Sequence, residues 1–213
     1  DADKATLKQM NSELASLGTK FSQNVLAEVN ASALVVEDVK ELDGLSEQQI
    51  ATAAGVAKSR GLEGKYVLTL LNTTGQPPES QLTNRALRQR LHEASIVRGS
   101  RGGDYDNREI ISKIMTIRAN RAKLLGFANH AAFSLEDQTA RTPEAVNAML
   151  GQLAPPAVAN AKREAADLQA MIKKEGGDFE LAPWDWAYYT EKVRADKYRF
   201  DENQLKPYFE MTN

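Results

Sequence analysis

Leu7-Lys8-Gln9-Met10-Asn11-Ser12-Glu13-Leu14-Ala15-Ser16-Leu17-Gly18-Thr19-Lys20-Phe21 is the stretch that decides the fold class of this 213-residue chain. Its apolar residues, Leu7, Met10, Leu14, Leu17 and Phe21, alternate three and four apart. On a helix of about 3.6 residues per turn that spacing puts all five on one face. The pattern predicts one long helix over residues 3–30. Such a stripe also suits a coiled-coil seam, but a coiled coil needs roughly three to four sustained heptads with charged flanks. One buried face in a helical bundle is the expected reading.

The same grammar runs outward from this helix. Ala33 to Val36 and Tyr66 to Leu71 are short β-branched runs. Between them Ser46, with Gln49 three residues on, forms a capping box that opens a helix stopped near Gly61. Two short paired strands bridged by a helix are expected, since an unpaired strand leaves its backbone donors unmet. Asn72-Thr73-Thr74-Gly75-Gln76-Pro77-Pro78 is turn chemistry, and a helix over about 79–98 follows it. Arg98-Gly99-Ser100-Arg101-Gly102-Gly103-Asp104 is the best hinge or loop. Asn107 then caps a helix carrying Ile110, Ile111, Ile114, Met115 and Ile117, which ends at Leu124-Leu125-Gly126. A short helix is expected around 128–137, and Thr142-Pro143 opens the next. Pro155-Pro156 should break or kink that helix, Gly176-Gly177 should end it, and further helices should start at Pro183 and at Asp201 with Gln204. The expected fold class is mainly α: a multi-helix bundle with one small two-stranded β element. The chain reads as a single helical segment, 1–213, with a sub-division into 1–103 and 104–213 around the Gly-rich loop.

Composition excludes several chemistries. With 27 basic and 29 acidic side chains the net charge is −2. This argues against a nucleic-acid partner, which would require a basic excess on one face. There is no cysteine, so disulfides, Cys-ligated zinc, iron–sulfur clusters and thiol nucleophiles are absent. No apolar run approaches the roughly 18–20 residues that span a bilayer, so no membrane partner is expected. The chain starts at Asp1, not Met, and nine of its 14 aromatic residues lie at or after Phe179, beside an end with no helix stop signal. It reads as a fragment of a longer polypeptide, cytoplasmic or else periplasmic.

The candidate chemistry is sparse. His92-Glu93-Ala94-Ser95-Ile96 is a near miss to the zinc-peptidase pattern H-E-x-x-H, which places two imidazoles on one helix face. Ile96 stands where the second His is required, and a solvated His-Glu pair on an Arg-rich helix is the expected reading. His130, beside Phe127 and Phe133, is expected to be a helix-packing or satisfied core histidine. Gly99-Ser100-Arg101-Gly102-Gly103 lacks the Gly-Lys-Ser/Thr ending of a phosphate loop and reads as a connector. Arg85, Arg88, Arg90, Arg98 and Arg101 form a local basic patch suited to a carboxylate or phosphate, or balanced by neighbouring acids. No catalytic, cofactor-binding or metal-ligating residue is assigned.

Four stretches go beyond helix grammar. They are Leu70-Leu71-Asn72-Thr73-Thr74 with Gln76-Pro77, and Leu124-Leu125-Gly126-Phe127 with Ala131-Ala132-Phe133. The third is Pro183-Trp184-Asp185-Trp186-Ala187-Tyr188-Tyr189 with Val193-Arg194, and the fourth is Gln204-Leu205-Lys206-Pro207-Tyr208-Phe209-Glu210. In this order they resemble the thimet-oligopeptidase-like family of zinc metallopeptidases, and within it the bacterial peptidyl-dipeptidases (dipeptidyl carboxypeptidases). The resemblance implies an enzyme roughly three times longer, a two-lobed helical ellipsoid around a deep channel that admits short peptides and releases C-terminal dipeptides. It implies a zinc held by an H-E-x-x-H helix and a further glutamate, none of which matches a position in this chain. The segment would then shape the channel opposite the zinc-bearing lobe and bind no zinc itself. Trp184, Asp185, Trp186, Tyr188 and Tyr189 are expected to be core packing that joins the lobes. A stand-alone helical binding module that grips a partner with its aromatic end, and an independent enzyme with an unrecognised site, are the competing readings. Self-association through residues Trp184 to Phe209 is expected if the fragment has lost its covering lobe.

Overall fold

A computed structural model describes residues 1–198 apart from 72 and 74, together with residue 208. Seven α-helices and two short strands are present among them: α1 Ala2–Ala31, β1 Leu34–Val36, α2 Glu47–Ser59, β2 Tyr66–Leu68, α3 Arg85–Ile96, α4 Arg108–Leu124, α5 His130–Leu135, α6 Pro143–Lys174 and α7 Pro183–Tyr198. Single 3-10 turns occupy Val39–Leu42 and Pro77–Ser80. The helix start expected at Asp201 lies outside the described residues.

The chain forms two compact units, each built from separate stretches. One comprises Asp1–Ser32 and Val97–Asn160, the other Ala33–Ile96 and the described residues from Ala161 onward. In the first unit α1 packs along α4, and α5 folds back on α4. The stripe Leu7, Met10, Leu14, Leu17, Phe21 is only half-buried. The fully buried positions of α1 are polar: Asn24 and Glu28. Asn24 Nδ2 donates to Asn107 Oδ1 (3.0 Å), and Asn107 Nδ2 donates to the Phe21 carbonyl (3.2 Å). Asn107 therefore sits at the N-cap position of α4 without capping it through its side chain. Asp106 serves the first turn instead, accepting from the Arg108 N–H (2.9 Å) and from its guanidinium. Glu28 holds the Gly-rich loop, accepting from the Gly99 N–H and from Arg101 Nε (2.9 Å).

The second unit contains the apolar core. β1 and β2 pair antiparallel, Leu34 opposite Leu68, Val35 opposite Val67 and Val36 opposite Tyr66. α2 lies against β2. It is opened by the full capping box, with Gln49 Oε1 accepting from the Ser46 N–H (2.8 Å) and Ser46 Oγ from the Gln49 N–H (3.3 Å). Leu42, Ala57, Leu82, Leu87 and Leu91 are wholly buried. The single helix expected over 79–98 is divided, because residues 81–84 do other work. Thr83 N–H and Oγ1 bond Asp43, and Asn84 Oδ1 caps α3 by accepting from the Leu87 N–H (3.1 Å). Gly44 makes that approach feasible: at φ +95 a Cβ there would lie 2.1 Å from the Gln81 carbonyl oxygen. A second cluster joins Leu168, Met171 and Ile172 of α6 to Tyr188 and Tyr189 of α7, with Phe179, Leu181 and Val193 around it.

Pro155 and Pro156 do not break α6, which runs unbroken from Pro143 to Lys174. Each proline removes one N–H, releasing the carbonyls four residues earlier, Gly151 and Gln152. Every residue from 147 to 164 is exposed, so water reaches those carbonyls. No helix among the described residues is long and apolar enough to cross a membrane.

Candidate functional site

Asp185 is the most enclosed charge among the described residues, fully buried in the first turn of α7. The Ala182 N–H donates to its Oδ2 (3.1 Å), a local bond that fixes the carboxylate at the helix start. Arg85 reaches it from α3 with Nε and Nη2 (2.8 to 3.1 Å), and Arg88 with Nη2 (2.9 Å). The rest of the Arg88 fork donates to three carbonyls: Leu82 (2.7 Å), Thr83 (3.1 Å) and Trp184 (3.2 Å). Rings flank both cations, Phe179 with its centroid 4.2 Å from the Arg85 guanidinium carbon and Tyr188 at 4.2 Å from that of Arg88. Burial pushes the Asp185 carboxyl up, but the two guanidiniums and the Ala182 amide outweigh it and hold the group below the usual aspartate range. Asp185 thus ties α3, the residues before it and α7 into one body.

A second polar group lies nearby in the same unit. Glu79, on the Pro77–Ser80 turn, is 5% exposed, and its Oε1 has no hydrogen-bond partner among the described residues. His92 Nδ1 faces that oxygen at 3.8 Å, and the His92 and Trp184 rings tilt together with centroids 6.3 Å apart. His92 is therefore no solvated surface residue. Arg88, Leu91, His92 and Ser95 share the inward face of α3, and an arginine-rich helix hides such a face because its arginines are paired. Gln76 completes the surroundings, donating from Nε2 to Ser95 Oγ (3.1 Å) and the Leu71 carbonyl, and accepting from the Leu71 N–H (2.8 Å).

The five arginines are divided between the two units. Arg85, Arg88 and Arg90 belong to one unit, Arg98 and Arg101 to the other. Acids pair with Arg85 and Arg88 (Asp185), with Arg90 (Glu41, 3.2 Å) and with Arg101 (Glu28). His130 opens α5 against Phe133, its Nε2 3.4 Å from Ser134 Oγ. Burial, with Arg118 and Arg121 nearby, pushes its imidazole below the ordinary value. Its Nδ1 is buried without a partner among the described residues, so it packs without being satisfied. Of the aromatic run, Tyr188 and Tyr189 are core, whereas Trp186 is 36% exposed. No three His, Asp or Glu side chains converge on one point among the described residues, so these residues do not fit a zinc ion. Neither Glu79 nor the Arg–Asp185 pairing was singled out from sequence. Asn72 to Pro78 reads as a turn with Glu79 opening the helix after it, and the one available signal was an acid set between two tryptophans.

Residues 80–213, which hold α3, α7 and the whole Asp185 group, match the family model described as peptidase family M3. The chain belongs to peptidase family M3. Across 99% of its length it is 45% identical to a dipeptidyl carboxypeptidase of Escherichia coli, covering 31% of that protein. It is 37% identical to an oligopeptidase A of Escherichia coli over 94% of the chain and 30% of the relative. A probable cytosolic oligopeptidase A of Arabidopsis thaliana is 32% identical over 99% of the chain and 31% of the relative. The chain thus spans about a third of the length of the curated relatives it matches. The M3 relationship runs through both units.

Proposed function

We propose that this chain is a non-catalytic helical segment of a zinc-dependent peptidyl-dipeptidase that removes C-terminal dipeptides from short peptides, and that it helps shape the substrate channel. The observation that carries this reading is the identity to a dipeptidyl carboxypeptidase along almost the whole chain but under a third of that relative. The chain has only two histidines, and they lie in different units, His92 on α3 and His130 on α5. The zinc and the residues that activate water would come from the remainder of the polypeptide. Its working place would be the cytoplasm, and its partners peptides and the zinc-bearing lobe.

Exposed apolar surface supports the segment reading. In the first unit Leu26, Ile111, Met115, Met149, Leu150, Leu153 and Val158 are each at least 45% exposed. Scattered single residues of this kind are ordinary; a row of them along α6 is a surface suited to cover. The aromatic binding-module alternative is weakened because Phe179, Tyr188 and Tyr189 are spent on the unit's own core.

The test compares the 213-residue chain with the full-length polypeptide. After dialysis the chain is expected to carry no stoichiometric zinc and to leave a quenched-fluorescent peptide intact. The longer protein should bind one zinc and release dipeptides from the free C-terminus. Turnover by the short chain that is lost in His92→Ala overturns the proposal.

A further inference from the structure

α6 carries an apolar face that its own unit leaves in water. Val146, Met149, Leu150, Leu153 and Ala157 recur three and four apart, so they share one side of the helix. In a surface helix such a stripe is the part that packs on a core. Here Met149, Leu150 and Leu153 are 53%, 52% and 57% exposed, and every residue from 147 to 164 is exposed. The same stretch is without charge. From Ala145 to Ala161 there is no Asp, Glu, Lys or Arg, in a chain where such residues make up 26%. A helix built to face water carries charges on its outer side, and this one has none on any side. The face suits an uncharged, apolar partner, because a charged one would be desolvated against it without a counter-charge.

The size of the stripe decides between partners. From Val146 to Ala157 it is about 17 Å long, on a helix about 10 Å across. That footprint falls far short of the roughly 800 Å² per subunit that a stable dimer buries, so a second copy of the chain is a poor occupant. A contact within one polypeptide needs no such area, because the covalent connection keeps the partner at high effective concentration. About two-thirds of the dipeptidyl carboxypeptidase relative lies outside the region matched to this chain.

We propose that the Val146–Ala157 face of α6 seats an apolar, uncharged surface of the remaining polypeptide, packed dry and not left to line a solvent-filled channel. The inference rests on the reading of the chain as a segment of a longer peptidase, and adds which face is covered and by what chemistry. The cover is one-sided. Ala148, Gly151 and Pro155 lie away from the stripe on the helical wheel. The Gly151 carbonyl, which lacks its helical donor because Pro155 has no N–H, keeps its water on that side.

The chain has no cysteine, so an introduced thiol reports its own surroundings. Leu153→Cys and, on the opposite side, Ala148→Cys are each placed in the 213-residue chain and in the full-length polypeptide. Maleimide labelling is followed by mass spectrometry on the peptide that carries the new thiol, and zinc is measured in the same full-length samples. In the short chain both thiols are expected to react at comparable rates. In the full-length polypeptide the Leu153→Cys thiol should react about tenfold or more slowly, since a buried thiol is reached only when the structure opens, while the Ala148→Cys thiol keeps its rate. A Leu153→Cys thiol as reactive in the full-length polypeptide as in the short chain overturns the proposal, whether or not zinc is bound. Protection already present in the short chain overturns it as well, and relief of that protection on dilution identifies a second copy as the occupant. Equal slowing at Ala148→Cys overturns the one-sided cover. Slow labelling at Leu153→Cys in a full-length sample that binds no zinc supports the covered face and counts against the peptidase reading instead. Should circular dichroism show Leu153→Cys to be misfolded, Leu150→Cys carries the same comparison.

Discussion

Asp185 shows how one residue converts sequence into architecture. Removing its carboxylate leaves Arg88, 1% exposed, as a buried cation with carbonyls and the Tyr188 ring but no acid to pair with among its hydrogen bonds. Breaking a buried pair from one side costs about 3–5 kcal/mol, because the partner's charge stays desolvated. Asp185→Ala is therefore expected to lower stability by that order in a urea titration, whereas Arg85→Ala, at the exposed edge of the group, should cost less. The pH sign follows from the lowered carboxyl. The bonds to Arg85 and Arg88 contribute fully above the ordinary value of 3.8, and that contribution is lost as pH falls through the depressed folded value. Wild type should lose stability on acidification below about pH 4 more steeply than Asp185→Ala does, a difference that paired urea titrations in that range read directly. The sequence suggested that Arg85 and Arg88 meet acids, but not which one. A sequence lists charges, and pairing across 97 residues is decided only when α3 and α7 meet.

Among the elements, those specified by local chemistry are the ones the sequence predicted. The Ser46–Gln49 box, the two short strands, the Thr142-Pro143 start of α6 and the Pro183 start of α7 all stand where the residues place them. The helix expected over 79–98 and α6 are the exceptions. Two interior prolines were expected to break or kink α6, but continuous helix on either side and full access of water to the freed carbonyls keep it unbroken. The cost is still present. Pro155→Ala restores one N–H and removes a ring that crowds the preceding turn, and should stabilise this exposed stretch by about 1–3 kcal/mol. Hydrogen exchange checks it: the amides at 157–160 are expected to slow, with those of α3 unchanged.

At the scale of the whole molecule the two units are unequal. Of the buried apolar side chains, only Ala122 lies in the first unit; the rest, from Leu34 to Tyr189, lie in the second. Burying a large aliphatic or aromatic side chain contributes about 1.5–3 kcal/mol, so the second unit holds most of the hydrophobic stabilisation. The first unit relies on half-buried stripes and on polar ties through Asn24, Glu28 and Asn107. Unfolding is expected in two steps, the first unit melting at lower denaturant. Amides in α1 and α4 should then exchange by sub-global opening before those of α2 and α3. A single transition with equal protection throughout would show the units to be one cooperative body. This imbalance also fits a segment whose first unit is completed by further polypeptide.

By itself the sequence determined most of the helices, the Ser46–Gln49 capping box, the paired strands and the membership of peptidase family M3. Each rests on residues close together in the chain: a three-and-four spacing, a Ser with a Gln three residues on, a Trp-Asp-Trp run. Tertiary structure alone decided which charges are buried and which partners they take. It turned the arginine patch into separate ion pairs, drew His92 off the surface and set Glu79 against it, and moved Asn107 from a helix cap to a tie with α1. The physical reason is that burial and pairing are properties of places where distant segments converge. A polar side chain's energy changes by several kcal/mol with its surroundings, while its letter in the sequence stays the same.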